Sequence, residues 1–307
     1  MYSNSVSAIF RRVSLAFLGN PSNLRNMGIE QKRPTSWEEI VDALRGRRIV
    51  ALTGAGCSTE SGIPDYRGPE TRRRARNPIR IGEFLRSEEG RRRYWARAAV
   101  GWRKFDAKQP NAGHRALSTL EQTGHVVGVI TQNVDRLHHD AGSRRVVELH
   151  GSLSEVRCLE CGDLTSRNAL QAELMRRNPH FAELRDVAMA PDGDADLPDA
   201  WIDGFKVPSC HRCGGPLKPN VVFFGESVPQ VVLSDALALF AEAEVLLVVG
   251  TSLAVFSGLR FIRKAAGRSM PVVMLNLGRP ERGFECITHF WEETSGTSLP
   301  RLVDSLL

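Results

Sequence analysis

Short apolar runs recur along this chain, and each ends abruptly in glycine or in polar residues. The first is Arg48-Ile-Val-Ala-Leu-Thr53, which leads straight into Gly54-Ala-Gly56. Similar runs lie at 126–131, 146–149, 220–224, 245–250 and 271–275, and helical patterns occupy 113–122, 232–243 and 258–266. A run that is apolar at every position is buried on both faces, as in a parallel sheet covered by helices on each side. The expected fold is therefore α/β, a Rossmann-like parallel sheet. Ligands of such sheets bind beyond the carboxyl ends of the strands, which is where most of the polar signatures stand. Ser36, with Glu39 three residues on, reads as a capping box opening a helix through Leu44, with Gly46 at its end.

Two segments interrupt the alternation. One is Arg-rich and helical in pattern, and the other holds paired cysteines and the acidic loop 191–199. The expected organisation is an N-terminal extension over 1–33, a Rossmann-like domain over 34–154 and 219–307 with a helical insertion about 68–110, and a smaller inserted module over 155–218. With 307 residues, 42% of them hydrophobic, the chain can bury one large core with a smaller one attached. No apolar run approaches the roughly 18 residues of a membrane helix. The net charge of +6 is local, with Arg72, Arg73, Arg74 and Arg76 in one cluster and Arg91, Arg92 and Arg93 in another. Neither has the interleaved aromatics of a nucleic-acid platform. The first 29 residues lack acids and carry Arg11, Arg12 and Arg25 among serines. That composition suits a mitochondrial transit peptide, a disordered tail, or a stretch upstream of a true start at Met27. The expected location is cytoplasmic, or the mitochondrial matrix if residues 1–26 are a transit peptide.

Four of the six cysteines form two C-x₂-C pairs, Cys158 with Cys161 and Cys210 with Cys213. This is the knuckle geometry of a tetrahedral zinc site, and four thiolates saturate the metal, so the zinc is expected to be structural. Glycines follow each second cysteine (Gly162, Gly214), and His211 inside the second knuckle is not expected to be a ligand. Gly54-Ala-Gly56-Cys57-Ser58 after a strand suits a backbone that approaches a pyrophosphate. Thr59 stands where the dinucleotide fingerprint of hydride-transfer enzymes has glycine, which argues against that chemistry. Gly62-Ile-Pro-Asp-Tyr-Arg-Gly68 brings an acid, an aromatic and a base together on a loop. Thr131-Gln-Asn-Val-Asp135 and His150-Gly151 each follow a strand.

Taken together, TGAGxSxxSGIPDYR, TQNVDRLH, ELHG, two CxxC pairs, KPNVVFFGE and GTSLAV stand in the order and spacing of the sirtuin signature, from about Ser36 to the C-terminus. The chain resembles class II sirtuins, the group of the fourth animal sirtuin, in Asp65-Tyr-Arg67, Arg93-Tyr-Trp-Ala-Arg97, Ala190-Pro-Asp-Gly-Asp194 and Pro219-Asn-Val-Val-Phe-Phe224. The resemblance implies an NAD⁺-dependent protein-lysine deacylase that releases nicotinamide and passes the acyl group of a protein or peptide lysine to ADP-ribose. It makes His150 the general base on a ribose hydroxyl, a role that suits a group titrating near neutrality. It places Asn133, Val134 and Asp135 at the nicotinamide pocket and Gln132 at the ribose. Tyr66 takes the gating position, with Asp65 and Arg67 ordering the loop. Gly54, Ala55, Gly56, Ser58, Gly250, Thr251 and Ser252 would cradle the phosphates and distal ribose. Asn276, Leu277 and Gly278 would meet the adenosine, and Gly296 is a candidate at the adenine end. Residues 224–226 and 253–255 would pair with the substrate peptide as an added strand.

Mono-ADP-ribosyl transfer is the rival activity in the same pocket, and an NAD⁺ or ADP-ribose sensor and a zinc-ribbon nucleic-acid module are readings of other kinds. An intact His150 and the complete KPNVVFFGE favour deacylation. Tyr94 and Arg97, three residues apart on a helical stretch, share one helix face. The resemblance implies that such a pair grips an acidic acyl group, whereas the bland reading has Tyr94 and Trp95 packing beneath a surface helix.

Overall fold

A computed structural model of the chain describes residues 35–66, 78–184, 190, 192–195 and 197–307. The expected site residue Arg67, the Arg72–Arg76 cluster and the extension over 1–33 lie outside the described residues. In chain order the elements are α1 (Trp37–Leu44), β1 (Ile49–Thr53), a 3-10 turn (Ala55–Ser61), α2 (Ile81–Arg86), α3 (Glu88–Asp106), α4 (Ala112–Gln122), β2 (Val126–Thr131), α5 (Leu137–Asp140) and β3 (Val146–Glu148). There follow β4 (Gly151–Cys158), β5 (Leu164–Ser166), α6 (Arg167–Arg177), α7 (Asp199–Ile202), β6 (Leu217–Val221), α8 (Gln230–Ala241), β7 (Val245–Val249), α9 (Phe256–Gly267), β8 (Val272–Leu275), β9 (His289–Trp291) and α10 (Ser295–Leu306). The capping box on α1 is present, with Ser36 Oγ accepting from the Glu39 N–H and the Glu39 carboxylate accepting from the Ser36 N–H.

Six strands form one sheet in the order β3-β2-β1-β7-β8-β9, parallel throughout. Strand β1 is buried at every position because alternate residues serve two cores. Ile49 and Ala51 join α1, α4 and α10 through Leu44, Leu117 and Leu299. Val50 and Leu52 face α8 and α9 through Leu239, Phe240 and Phe261. The chain order reverses between β1 and β7, and a crevice opens at such a switch point beyond the strand ends.

A second sheet is small and antiparallel, in the order β5-β4-β6. Here the expectation from the sequence needs correcting. The run at 220–224 is not a strand of the parallel sheet; the strand is Leu217–Val221, on the edge of the small one. Pro219 sits within it and has no N–H to donate, which confines such a strand to an edge. The sixth place in the parallel sheet belongs instead to β9, a strand too short to register as an apolar run. A third core lies between the small sheet and the inserted helices. Phe84, Tyr94, Trp95, Trp102, Phe105, Phe181 and Phe223 pack there with Leu153 and Leu217. The guanidinium of Arg167 stands over the Trp95 and Trp102 rings at 5.5 and 4.7 Å and donates to the Ala98 carbonyl, tying α6 to α3.

Candidate active site

Beyond the carboxyl ends of β1, β2, β3, β7 and β8 lies a cleft of about 2020 Å³. Of the residues expected at the site, Gly54, Ala55, Gly56, Ser58, Asp65, Tyr66, Gln132, Asn133, Val134, Asp135, His150, Gly250, Thr251, Ser252, Asn276 and Leu277 all line it. The loops after β1 and β7 press together at the switch point. A Cβ on Gly54 would lie 2.6 Å from Thr251 Cβ, and one on Gly56 would lie 2.8 Å from the Gly250 carbonyl oxygen. The glycines of this turn are thus demanded by the chain's own backbone as well as by any phosphate.

Behind the turn a hydrogen-bond network fixes the polar side chains. Asn133 Nδ2 donates to the Gly54 carbonyl at 3.1 Å and to Ser58 Oγ at 3.0 Å, and Ser58 Oγ donates to Asp135 Oδ2 at 2.7 Å. The Ser58 hydroxyl, expected among the phosphate contacts, is committed to this network. Burial pushes the Asp135 carboxyl above its usual range, while the Ser58 hydroxyl and the Leu137 N–H oppose the shift. Gln132 Nε2 donates to Thr251 Oγ1 at 2.9 Å, linking the ends of β2 and β7.

His150 follows β3, and its two ring nitrogens have different partners. Nδ1 lies 2.8 Å from the Gln132 carbonyl oxygen, which can only accept, so Nδ1 carries the proton in the neutral ring. Nε2, 2.8 Å from Ser257 Oγ, is left with the lone pair. Burial lowers the imidazole pKa, and the Gln132 carbonyl partly opposes that. A neutral imidazole with Nδ1–H fixed and Nε2 facing a cleft is the arrangement of a general base.

Tyr94 and Arg97, on α3, line the same cleft. Tyr94 is 4% exposed and stacks edge-on to Phe84 at 5.5 Å, so it also packs as the bland reading expects. Burial holds its phenol well above the usual pKa, and it stays protonated. Arg97 donates through Nε to the Ala195 carbonyl at 3.1 Å. Tyr66 meets Phe224 edge-on at 6.0 Å, and Phe224 also lines the cleft.

Two expected residues lie off the cleft wall. Gly296, in the first turn of α10, donates its N–H to Glu60 Oε2 at 2.6 Å, while Thr294 and Ser295 before it do line the cleft. Gly278 gives its carbonyl to Asn276 Nδ2 at 2.7 Å and its N–H to Glu292. The sequence reading missed Ser257, which is signalled only as a polar residue two positions past GTSLAV. It also missed Arg260 and Arg279, two cations along the wall.

The four paired cysteines converge. Their sulfurs lie within 4.8 Å of one another, with Cys158 to Cys213 at 3.4 Å and Cys161 to Cys210 at 3.8 Å. Thiolates about 2.3 Å from one tetrahedral zinc are about 3.8 Å apart, so this donor set fits the metal. Gly162 and Gly214 turn the knuckles at φ 72° and 80°, and the Gly215 N–H donates to Cys213 Sγ. His211 is exposed and stands 3.9 Å from Asp163. No ligand position remains for it.

The Sir2 family profile matches residues 54–257. A relative from Mycobacterium avium, an NAD-dependent protein deacetylase, is 53% identical over 78% of this chain and 85% of its own. The mitochondrial NAD-dependent protein lipoamidase sirtuin-4 of Bos taurus is 46% identical over 92% of this chain and 91% of its own. Among solved structures, a complex of Sir2 with a p53 peptide and NAD⁺ superposes with a TM-score of 0.68 at 30% identity, covering 88% of this chain and 98% of that one. With the switch-point cleft, the neutral His150 imidazole and the four-thiol cluster in place, the chain belongs to the Sir2 family.

Proposed function

We propose that this chain is an NAD⁺-dependent protein-lysine deacylase whose general base is His150. The observation that carries the reading is the Nδ1–H bond to the Gln132 carbonyl, which leaves the Nε2 lone pair as the acceptor of a ring that lines the cleft. NAD⁺ supplies a ribose carbon that receives the acyl oxygen, with nicotinamide as the leaving group. The chain's own part is to bind, orient and move one proton. Asn133 and Asp135 hold the nicotinamide end, Gln132 and Thr251 the ribose, and Asn276 the adenosine. His150 takes the proton of the ribose hydroxyl. The segments 224–226 and 253–255 receive the acyl-lysine peptide as an added strand. Zinc, held by Cys158, Cys161, Cys210 and Cys213, supplies folding energy alone, because four thiolates leave it no open position.

The same reading divides the chain into an extension over 1–33, the NAD⁺-binding domain over 34–154 and 219–307, and the zinc module over 155–218. A separate aromatic core supports a second, smaller unit, and that core joins the helical insertion, through Phe84, Tyr94, Trp95, Trp102 and Phe105, to the module, through Phe181 and Leu217. The reading assigns the protein to a reducing compartment, as free zinc-binding thiolates require, with the cytoplasm as the reading and the mitochondrial matrix as the alternative if residues 1–26 are a transit peptide. The acyl end is read as accepting chains longer than acetyl with an acidic terminus, since Arg97 lines the cleft and its planar fork matches a carboxylate. The test is mass spectrometry of products from NAD⁺ with acetyl-, glutaryl-, methylglutaryl- and lipoyl-lysine peptides. O-acyl-ADP-ribose and free lysine are expected; ADP-ribosylated protein without loss of acyl groups would overturn the reading.

A further inference from the structure

Ser257 stands closest to the base and has no part in the reaction as derived above. It lies in the first turn of α9, which Val255 begins without a side-chain cap. Its hydroxyl points at His150 Nε2 across 2.8 Å. The next residue explains how the helix comes so near. A Cβ on Gly258 would lie 2.8 Å from Gln132 Oε1 and 3.0 Å from Cδ, and that side chain is tied down by its bond to Thr251. Glycine at 258 therefore lets the first turn of α9 press on the residue whose carbonyl orients the imidazole. Ser257 and Gly258 act together, one admitting the helix and the other meeting the ring.

The tautomer fixes the direction of the bond. Nδ1 donates to the Gln132 carbonyl, so Nε2 has one in-plane lone pair, and the Ser257 O–H donates to it. Both His150 and Ser257 line the cleft, and the Ser257 hydroxyl occupies the one acceptor position of Nε2, so a cleft hydroxyl passes its proton through Ser257 or must displace it.

We propose that Ser257 is a proton relay between the ribose hydroxyl of NAD⁺ and His150, an inference that rests on the deacylase reading. In one concerted step the ribose O–H bond breaks and its proton passes to Ser257 Oγ. The proton that Ser257 held passes to Nε2, where an N–H bond forms. Ser257 ends as a hydroxyl again, the imidazole becomes imidazolium, and the ribose oxygen keeps the electron pair with which it attacks the acyl carbon.

The first test needs no turnover. In the free enzyme, ¹⁵N resonances of His150 should show the Nδ1–H tautomer with a hydrogen-bonded Nε2. Ser257→Ala should move Nε2 toward the position of an unbonded pyridine-type nitrogen and leave the tautomer unchanged. In single-turnover acyl transfer, Ser257→Ala should slow the step by about 10- to 100-fold, within the range of a lost acid–base element. KM for NAD⁺ and the rate of nicotinamide exchange should be kept, and Ser257→Thr should restore the hydroxyl and most of the rate. The proton inventory should be curved in the wild type, with two protons in flight, and linear in Ser257→Ala. A Ser257→Ala enzyme with the wild-type rate, or a slow one with an unchanged curved inventory, would overturn the relay. Either result leaves the deacylase reading standing, since that reading falls on ADP-ribosylated protein without loss of acyl groups or on a His150→Ala enzyme that retains acyl transfer.

Discussion

At the scale of single residues, chemistry here is decided by which hydrogen-bonding groups are already committed. The buried trio Cys57, His114 and His138 makes the point, because its donor atoms lie within 4.8 Å of one another as in a metal site. His114 Nδ1 accepts the Asn111 N–H that caps α4, so its proton is on Nε2, the atom nearer Ser58. His138 Nε2 bonds to Thr53 Oγ1, and burial lowers the pKa of both rings, which remain neutral. A cation would have to strip the His114 proton and break the cap, so the trio is core packing. His150 is the opposite case, with Nδ1 committed to the Gln132 carbonyl and Nε2 bonded only to the Ser257 hydroxyl, which itself lines the cleft. His150→Ala should lower acyl transfer on the order of 10²–10⁴-fold while leaving binding of ADP-ribose, measured by calorimetry, nearly unchanged. Because burial lowers the pKa of this base below 6.5, the base stays neutral until the pH falls through that lowered value. The acid limb of kcat/KM in the free enzyme should therefore lie below pH 6.5, and a limb above 7 would contradict the assignment. Arg97→Met should remove any preference for glutaryl- over acetyl-lysine. Equal loss of both activities would instead mark Arg97 as a strut for the Ala195 backbone.

At the scale of elements, the cleft wall at Tyr94 and Arg97 rests on the fit of α3 against the loop that carries Asp192 and Asp194. A Cβ on Gly101 would fall 1.8 Å from the Gly193 carbonyl oxygen, and backbone cannot yield to it as a flexible side chain would. Alanine in a helix gains about 1 kcal/mol of propensity over glycine, against roughly 1–3 kcal/mol for overpacking, so the clash should win. Gly101→Ala should thus lower the melting temperature, because the clash is with backbone. It should alter selectivity among acyl groups while the affinity for ADP-ribose holds, because the glycine turn at Gly54–Ser58 lies on other elements. The zinc knuckles should behave differently. Cys158→Ser, or a strong chelator, should cause loss of the fold with the metal, since a saturated site contributes folding energy. Metal analysis should find one zinc per active chain, and active protein with far less would contradict a structural role. The knuckles and the start of α1 were legible in the sequence because spacing and capping are local rules. The small sheet was not. Leu217–Val221 and Gly151–Cys158 pair across a long insertion, and nothing local to Asn220 tells a strand of the large sheet from one of the small.

At the scale of the whole molecule, the parallel sheet and its cleft were readable because both follow from strand ends carrying polar residues. What remained hidden were contacts between distant segments. His289–Trp291 completes the sheet with only three half-buried residues, and Ser257 reaches His150 from 107 positions away. The residues that start the described body are engaged from the outset. Thr35 Oγ1 accepts the N–H of Phe290 in β9, and Ser36 caps α1, whose Trp37 stands 5.4 Å from Trp291. These links anchor the sheet's far edge, and removing them should cost stability. None of the motifs that match the family lies before residue 36, and the matched profile itself begins at 54. A chain starting at Met27 keeps Thr35, Ser36 and Trp37. It should therefore retain its zinc, its stabilisation by ADP-ribose and its acyl transfer. Ligand at about 100 times Kd stabilises by about 2.7 kcal/mol, so a thermal shift with ADP-ribose reports on the cleft without turnover. The shortened and full-length chains should show the same shift and the same rate. A shortened chain that folds, binds zinc and yet fails to respond to ADP-ribose would show that the first 26 residues take part in the cleft. A further chain starting at Ile40 should melt lower than both, having lost the cap and the Trp37–Trp291 contact.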